Sequence, residues 1–218
     1  MRNFNKCTKA FTMLELVFVI VVIGILAALA LPRMDRDLRQ EAADNILSAI
    51  RYTQHLALND DKTNPFVNNW QKSLWTIRFA SDGDHYTVGS DVNREGNIDK
   101  VEAAIDPVNG KYIYNNSAEP QPDESPNIFL NKKYGITNIT ITAGCGIASG
   151  ATTSLHIAFD HLGRPFRGVS AATNNYDKYV NQDCSLTFSA ANSFPGEPII
   201  ISISKETGYA YIVGQEDS

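Results

Sequence analysis

Residues 91–102, DVNREGNIDKVE, follow the spacing of a calcium-binding loop. In such loops oxygen ligands recur at set positions, a central glycine makes a sharp turn and a final glutamate closes the site. Gly96 takes the place of that glycine. Six residues fall at the ligand positions, namely Asp91, Asn93, Glu95, Asn97, Asp99 and Glu102. They form a candidate Ca²⁺ site, although Glu95 replaces the usual Asp or Asn, and the same composition is typical of a polar surface turn.

The remaining chemistry-bearing side chains do not have the spacing of an active site. The histidines have no metal-ligand spacing with one another and no adjacent nucleophile; they are His55, His85, His156 and His161. The sequence also lacks a Gly-rich phosphate loop, a pair of catalytic acids and a Ser-His-Asp or Cys-His arrangement. We therefore expect that the protein is not an enzyme.

The charge of the chain disfavours nucleic acid as a partner. The formal charge is −5, and it falls to −8 without residues 1–10, because these carry three basic side chains and no acid. Arg164, Phe166 and Arg167, with Lys132 and Lys133, form a candidate basic aromatic patch. An acidic chain nevertheless repels a phosphate backbone, so we do not expect this patch to bind nucleic acid.

A long apolar run near the N-terminus predicts a membrane span. Residues 16–31, LVFVIVVIGILAALAL, carry no charge. Counted from Phe11, the run has 21 residues and makes a helix of about 31 Å, which matches a bilayer core of about 30 Å. The basic residues Arg2, Lys6 and Lys9 precede it and predict a cytoplasmic N-terminus. Ala28 and Ala30 loosely resemble a signal-peptide cleavage site, but the helical pattern continues past them.

Glu15 places a carboxylate at the start of this run. An ionisable residue in a membrane span is costly and is by default a candidate functional residue. The alternative is that Glu15 lies at the interface, one turn into the helix, where the positive end of the helix dipole favours it. Its position alone does not distinguish the two roles.

The cysteines predict one disulfide. Cys7 lies in the basic N-terminal segment, and Cys145 and Cys184 lie in the part that the membrane topology exports. In an oxidising compartment, the two exported cysteines are expected to pair. The alternative is two unrelated buried thiols.

The periodicity of the chain predicts an α+β fold. Apolar residues spaced by three and four predict a helix over residues 12–58, in which Pro32 causes a kink without ending the helix. From residue 59 onward the period changes to two, which indicates antiparallel strands. The predicted strands cover 73–80, 85–90, 109–115, 135–144, 154–160, 184–190, 198–204 and 209–214. We expect one long helix packed on an antiparallel β-sheet in a single globular domain.

The N-terminal segment KAFTMLELVFVIVVIGILAALALPRM resembles that of type IV pilins and type II secretion pseudopilins. The resemblance implies cleavage between Ala10 and Phe11 and methylation of the new amino group of Phe11. It also implies that Glu15 meets the Phe11 amine of a neighbouring subunit during assembly, and Pro32 matches the family's helix proline. Ala10 departs from the usual glycine before the cut, which puts the rate of cleavage in doubt.

The stretches IAFDHLGRPF and IIISISKETGYAYIV are similar to H-type minor pseudopilins and FimT-like minor pilins. Together the resemblances imply a leader peptide (1–10), a transmembrane helix (11–31), its amphipathic continuation (32–58) and a periplasmic β-rich domain (59–218). They imply a single-pass inner-membrane protein that joins a secretion, pilus or DNA-uptake filament. The implied partners are membrane lipid, other pilins or pseudopilins, prepilin peptidase, a platform protein and an ATPase. The alternative is a membrane-tethered binding module that does not polymerise and that responds to Ca²⁺.

Overall fold

The computed structural model describes residues 12–80, 82–117, 119–141, 145, 155–174, 176–190 and 198–216, and gives the backbone alone for 28–37. The predicted leader with its Ala10, and Phe11, lie outside these residues. The predicted class is confirmed: the protein is α+β, with an N-terminal helix and antiparallel sheets.

Helix α1 (Met13–Leu58) is 46 residues long and continues through Pro32. At 1.5 Å per residue it measures about 69 Å. Its C-terminal part buries the apolar stripe that the sequence predicts, including Ala42, Ile46 and Ile50. Ala49 and Thr53 are buried too, and Thr53 satisfies its hydroxyl by donating to the Ala49 carbonyl at 2.8 Å.

The strands form two four-stranded sheets, which corrects the expectation of one. The first has the order β2-β1-β4-β5, with β1 (Trp75–Phe79), β2 (Tyr86–Ser90), β4 (His156–Phe159) and β5 (Pro165–Arg167). The second has the order β3-β6-β7-β8, with β3 (Ile136–Ile141), β6 (Cys184–Ala190), β7 (Ile199–Ile203) and β8 (Ala210–Ile212). Strand pairing across long stretches of chain, such as β1 with β4, leaves no local mark in the sequence.

Three segments differ from the sequence-based assignment. Residues 109–115 do not form a strand: Tyr112 makes isolated bridges to Ile105 and Glu124, and Ile113 accepts a single bond of 3.0 Å from the Val88 N–H of β2, so no continuous ladder forms. Strand β5 follows the turn in HLGRPF, and a short helix, α2 (Leu130–Tyr134), precedes β3. Both are too short for a periodic pattern to reveal.

One core joins the helix to both sheets. The inward residues of β1 and β6 meet where Phe79 and Phe188 pack edge to face, with ring centroids 5.3 Å apart. Ile46 and Ile50 of α1 belong to the same buried cluster. A second, smaller cluster around Trp70 and Phe166 lies apart from it. The helix is therefore part of the domain core and not a separate stalk that merely rests on it.

Side-chain hydrogen bonds fix α1 to the C-terminal part of the chain at three levels, which we call the helix clamps. Gln40 and Gln215 exchange two amide bonds of 3.0 and 2.8 Å. Arg51 Nη2 donates to the Ala210 carbonyl at 3.0 Å. One further turn on, Gln54 donates to the carbonyls of Gly163 and Thr207 at 2.9 and 2.8 Å, which ties two turns to the helix.

A disulfide joins Cys145 to Cys184, 39 residues apart in sequence and with Cα atoms separated by 4.6 Å. Both cysteines are fully buried. The bond lies at the end of the β3–β6 pair, and the chain between the two cysteines contains β4 and β5 of the other sheet. It therefore closes a loop that leaves the second sheet and returns to it.

Asp106 organises the loop that crosses beside α1. Its buried carboxylate accepts hydrogen bonds from the Val108 N–H at 2.8 Å and from the side chains of Ser125, Asn109 and Asn127. Burial alone raises the pKa of Asp106, but these donors outweigh it, so the pKa lies below its usual value. A carboxyl group with a lowered folded pKa stabilises the fold above its unfolded pKa of about 3.9, and this stabilisation is lost as the pH falls.

We therefore expect Asp106→Asn to lower the free energy of unfolding at pH 7 by about 1–3 kcal/mol, because one bonded, charged acceptor is lost. The difference from the unsubstituted protein should shrink below about pH 4, because the carboxyl of the unfolded chain takes up a proton there before that of the folded protein does. Urea unfolding from pH 7 to pH 3, followed by tryptophan fluorescence, measures both effects. Glu119→Gln, at an exposed position, is the matched control. A difference that stays constant over this pH range would contradict the assignment.

Candidate functional site

The first sixteen described residues of the chain, 12–27, form the candidate functional site, which we call the exposed segment. Its large apolar side chains are all exposed, from 37% at Val22 to 87% at Met13. They surround the helix instead of forming one stripe. A helix that is apolar all round is stable only inside other protein or in a membrane. The exposed segment therefore presents a surface for something beyond this domain.

The exposed segment begins with a capped turn. Thr12 is the N-cap of α1, and its hydroxyl accepts the Glu15 N–H at 3.2 Å. Glu15 lies in the first turn, where the unpaired N–H groups and the helix dipole favour a carboxylate. Thr12 was not among the residues predicted to have a role, although it lies in the N-terminal motif. The spacing Ser/Thr-x-x-Glu, which is typical of a capping box, could have identified Thr12 as the N-cap.

Glu15 is exposed, and among the described residues no basic side chain makes an ion pair with it. The nearest chain segment on its N-terminal side, with Phe11 and Ala10, lies outside the described residues. The geometry leaves the Glu15 carboxylate available to a cation outside this domain.

Of the helices traced above, none combines the length and apolar character of a membrane span within the residues that are described. The span at 11–31 stays a prediction.

The loop at 91–102 uses its acidic side chains to bind its own backbone. The Asp91 carboxylate accepts the N–H groups of Glu95 and Gly96 at 3.1 and 2.7 Å. Glu102 Oε1 accepts the N–H of Val92 at 3.0 Å, and its Oε2 accepts that of Asp99 at 3.0 Å. These bonds hold the two ends of the loop together.

Within the described ranges, no three His, Cys, Asp or Glu side chains are grouped to hold a metal ion. The four carboxylates of the loop, at Asp91, Glu95, Asp99 and Glu102, are thus not gathered into such a group. Asn97 donates to Asp99 at 2.9 Å, and the Asn93 side chain accepts the Glu95 N–H at 3.0 Å. The calcium site stays a sequence-based prediction.

The predicted basic aromatic patch is wrong. Phe166 is fully buried against Trp70, with ring centroids 6.2 Å apart, and Arg167 is buried too. Arg164 pairs with the buried Asp160 at 2.6 Å, and Lys133 pairs with Glu41 at 2.9 Å. Strand β5 has three residues, which are too few to show an alternating pattern. The burial of Phe166 could therefore not be predicted from the sequence.

The comparison with known families agrees with the N-terminal motif. Residues 5–31 match the family model of the prokaryotic N-terminal methylation motif. The match includes Phe11 and Glu15 and supports a type IV pilin-like family. It indicates a pilin-like protein that prepilin peptidase processes. No curated protein and no solved structure matches the chain.

Proposed function

We propose that the chain is a minor pilin or pseudopilin that assembles through the exposed segment into a filament of type II secretion, a type IV pilus or DNA uptake. The main support for this proposal is that the methylation motif coincides with a helix whose apolar side chains are exposed on every side. After cleavage between Ala10 and Phe11, the helix at 11–31 lies in the inner membrane and later packs among the helices of other subunits. The domain at 59–218 lies in the periplasm.

The exposure of the helix supports assembly over a free soluble existence. Soluble monomers rarely expose a continuous apolar surface beyond a few hundred Å². Here twelve large apolar side chains between Met13 and Leu26 are exposed together. Lipid covers this surface before assembly, and neighbouring helices cover it afterwards. Both environments are apolar, so the transfer between them costs little.

The two charged groups near the helix start determine the axial position of each subunit. In our proposal the methylated Phe11 amine of one subunit pairs with the Glu15 carboxylate of its neighbour. Away from water an unpaired charge is heavily penalised, so only the register that pairs them is stable. The pair then acts as a single polar residue does in a coiled coil, where it selects one register.

The remaining parts of the proposal concern partners. Prepilin peptidase cleaves and methylates the chain, and a platform protein with a cytoplasmic ATPase drives assembly with other pilins or pseudopilins. The chain itself acts as a structural and interacting subunit and not as an enzyme. The likeness of IAFDHLGRPF and of the terminal hairpin to H-type and FimT-like proteins supports a minor subunit.

The intact mass of the protein tests the processing step. When the chain is co-expressed with prepilin peptidase, we expect loss of residues 1–10 and addition of one methyl group at Phe11. Without the peptidase, the mass should be that of the whole chain. Ala10→Gly is the matched variant and should be cleaved at least as fast, because glycine is the family's usual residue before the cut.

Two other masses would contradict the proposal. An uncut chain in both samples would indicate a tethered module that does not polymerise. A cut near Ala30 would indicate an ordinary signal peptide and a free periplasmic domain.

A further inference from the structure

Arg78 places a charge in the middle of strand β1. In the register of the first sheet it stands opposite Thr87 of β2 on one side and His156 of β4 on the other. Directly opposed residues point to the same face, so these three side chains form one row across the sheet. The alternate residues Ile77 and Phe79 belong to the core with α1. The row therefore lies on the sheet face turned away from the helix.

The protein gives the Arg78 guanidinium few partners. Its Nε is buried without a hydrogen-bond partner, and its Nη2 donates one long bond of 3.4 Å to the Gly96 carbonyl. Among the described residues no carboxylate lies within ion-pair distance of it. Burial therefore lowers the pKa of Arg78, and the charge of Asp91 offsets this only in part.

The neighbouring groups do not form an ion pair with Arg78, although the charge of Asp91 acts on it from a distance. The Asp91 carboxylate is already bonded to the N–H groups of Glu95 and Gly96. Burial first, and then the charges of Arg78 and Arg167, lower the pKa of His156 to about 3, so His156 is neutral at pH 7. The row across the sheet thus carries one positive charge that, among the described residues, has no carboxylate in ion-pair contact.

A cavity of about 330 Å³ lies beside Arg78, between the sheet and the segments 97–99 and 114–116. Neutral groups able to donate hydrogen bonds also line it, among them Thr87, Tyr114 and Asn116. Asp99 is the acidic residue in the lining, and its carboxylate accepts the Asn97 amide at 2.9 Å. The cavity has the size of a small ligand site, and its cation has no ion-pair partner among the described residues.

We propose that this cavity binds a carboxylate group, held by the guanidinium of Arg78 and by the neutral donors around it. A guanidinium is planar and offers parallel N–H groups that match the two oxygens of a carboxylate. One cation with Asp99 and the charge of Asp91 nearby suits a ligand with a single negative charge better than a phosphate with two. The carboxylate belongs either to a free organic acid or to an acidic side chain of a neighbouring polypeptide.

Nuclear magnetic resonance on the full-length, ¹⁵N-labelled chain in detergent micelles tests this proposal. The probes are sodium acetate, a blocked tripeptide with a central Glu and its Gln counterpart, each against sodium chloride at equal ionic strength. We expect the Arg78 Nε–Hε signal to move saturably, with half-saturation at about 1–10 mM for a single carboxylate contact. Chloride and the Gln tripeptide should leave it in place.

The variants separate the geometry of the site from its charge. Arg78→Lys keeps the charge but loses the planar fork, so acetate binding, read from the Thr87 and Asn116 amide signals, should weaken roughly tenfold. Lys132→Gln removes an exposed cation that does not line the cavity, and binding should not change. Should Arg78→Lys fail to fold, Asn116→Ala gives a second test with a smaller loss of affinity.

The pattern of binding identifies the source of the carboxylate. Binding of acetate alone assigns a free acid, and binding of the Glu tripeptide alone assigns a polypeptide side chain. Binding of both supports recognition of the group itself. Three results would overturn the proposal: equal shifts with chloride, shifts that do not saturate, or unchanged affinity in Arg78→Lys. The Arg78 guanidinium would then bind water and no carboxylate. None of these results depends on filament assembly.

Discussion

Glu15→Val is expected to abolish entry of the chain into filaments while leaving its domain folded. The valine suits the apolar exposed segment, so α1 and its membrane insertion are preserved. The methylated Phe11 amine of a neighbour would then lack its counter-charge, which costs about 3–5 kcal/mol in a water-poor helix bundle. We therefore expect the recovery of the chain in sheared filaments to fall by more than roughly a hundredfold.

Two variants make this result specific. Glu15→Gln keeps the shape of the side chain without its charge and should be almost as defective as Glu15→Val. Asp44→Asn removes an exposed carboxylate further along the same helix and should assemble normally. Intact masses should show that all three chains are still cleaved after Ala10. Normal assembly of Glu15→Val would reduce Glu15 to a helix-capping residue beside Thr12.

Loss of the disulfide is expected to be the most destabilising single chemical change in the domain. Cys145 and Cys184 close a loop of 39 residues, so the chain-entropy model gives a loss of about 4 kcal/mol. The loop includes β4, which pairs with β1, and β5, which pairs with β4, so it supplies half of the strands of the first sheet. Urea unfolding of the double variant Cys145→Ser/Cys184→Ser, followed by tryptophan fluorescence, measures this loss. Trp70 and Trp75 both lie in the domain, so the signal reports on it.

Cys7→Ser provides the control for this experiment, because the third cysteine precedes the predicted cleavage site. It should unfold at the same urea concentration as the unsubstituted chain. Treatment of the native protein with dithiothreitol should reproduce the destabilisation of the double variant. A double variant as stable as the native protein would mean that the buried contacts alone hold the two sheets together.

The long helix could be predicted from the sequence because its signals are local. Apolar residues at spacings of three and four gave the range 12–58, and the structure has Met13–Leu58. The breaker-rich segment after Leu58 ends it. Six of the eight predicted stripe residues between Leu38 and Ala57 are buried, while Leu38 is 38% exposed, because it lies where α1 leaves the domain.

The arrangement of the strands could not be predicted, because it depends on contacts between distant parts of the chain. The local alternation of WTIRF and of CSLTFSA identified β1 and β6. It contained no information that β1 pairs with β4, nearly eighty residues later, while β6 pairs with β3 in another sheet. The segment at 109–115 has strand composition, but it makes only isolated bridges and one backbone bond to Val88 of β2.

In the candidate sites, too, residues within one continuous motif could be predicted from the sequence, whereas contacts between distant residues could not. The methylation motif is a continuous stretch, so Phe11 and Glu15 could be recognised without a structure. The surroundings of Arg78 come from three separate segments, and its sequence neighbours gave no sign of an unbalanced charge. The same is true of Asp106, whose donors lie up to 21 residues away.

The helix clamps determine how the protein responds to a pulling force. Gln40, Arg51 and Gln54 fasten α1 along about 21 Å of its axis, side by side with the buried stripe. A tensile load that enters at Thr12 runs parallel to this contact, so the bonds share it and must shear together instead of opening one by one. In the filament that we propose, a force applied through the helices would therefore move the domain at 59–218 with them and leave the contact between helix and domain intact.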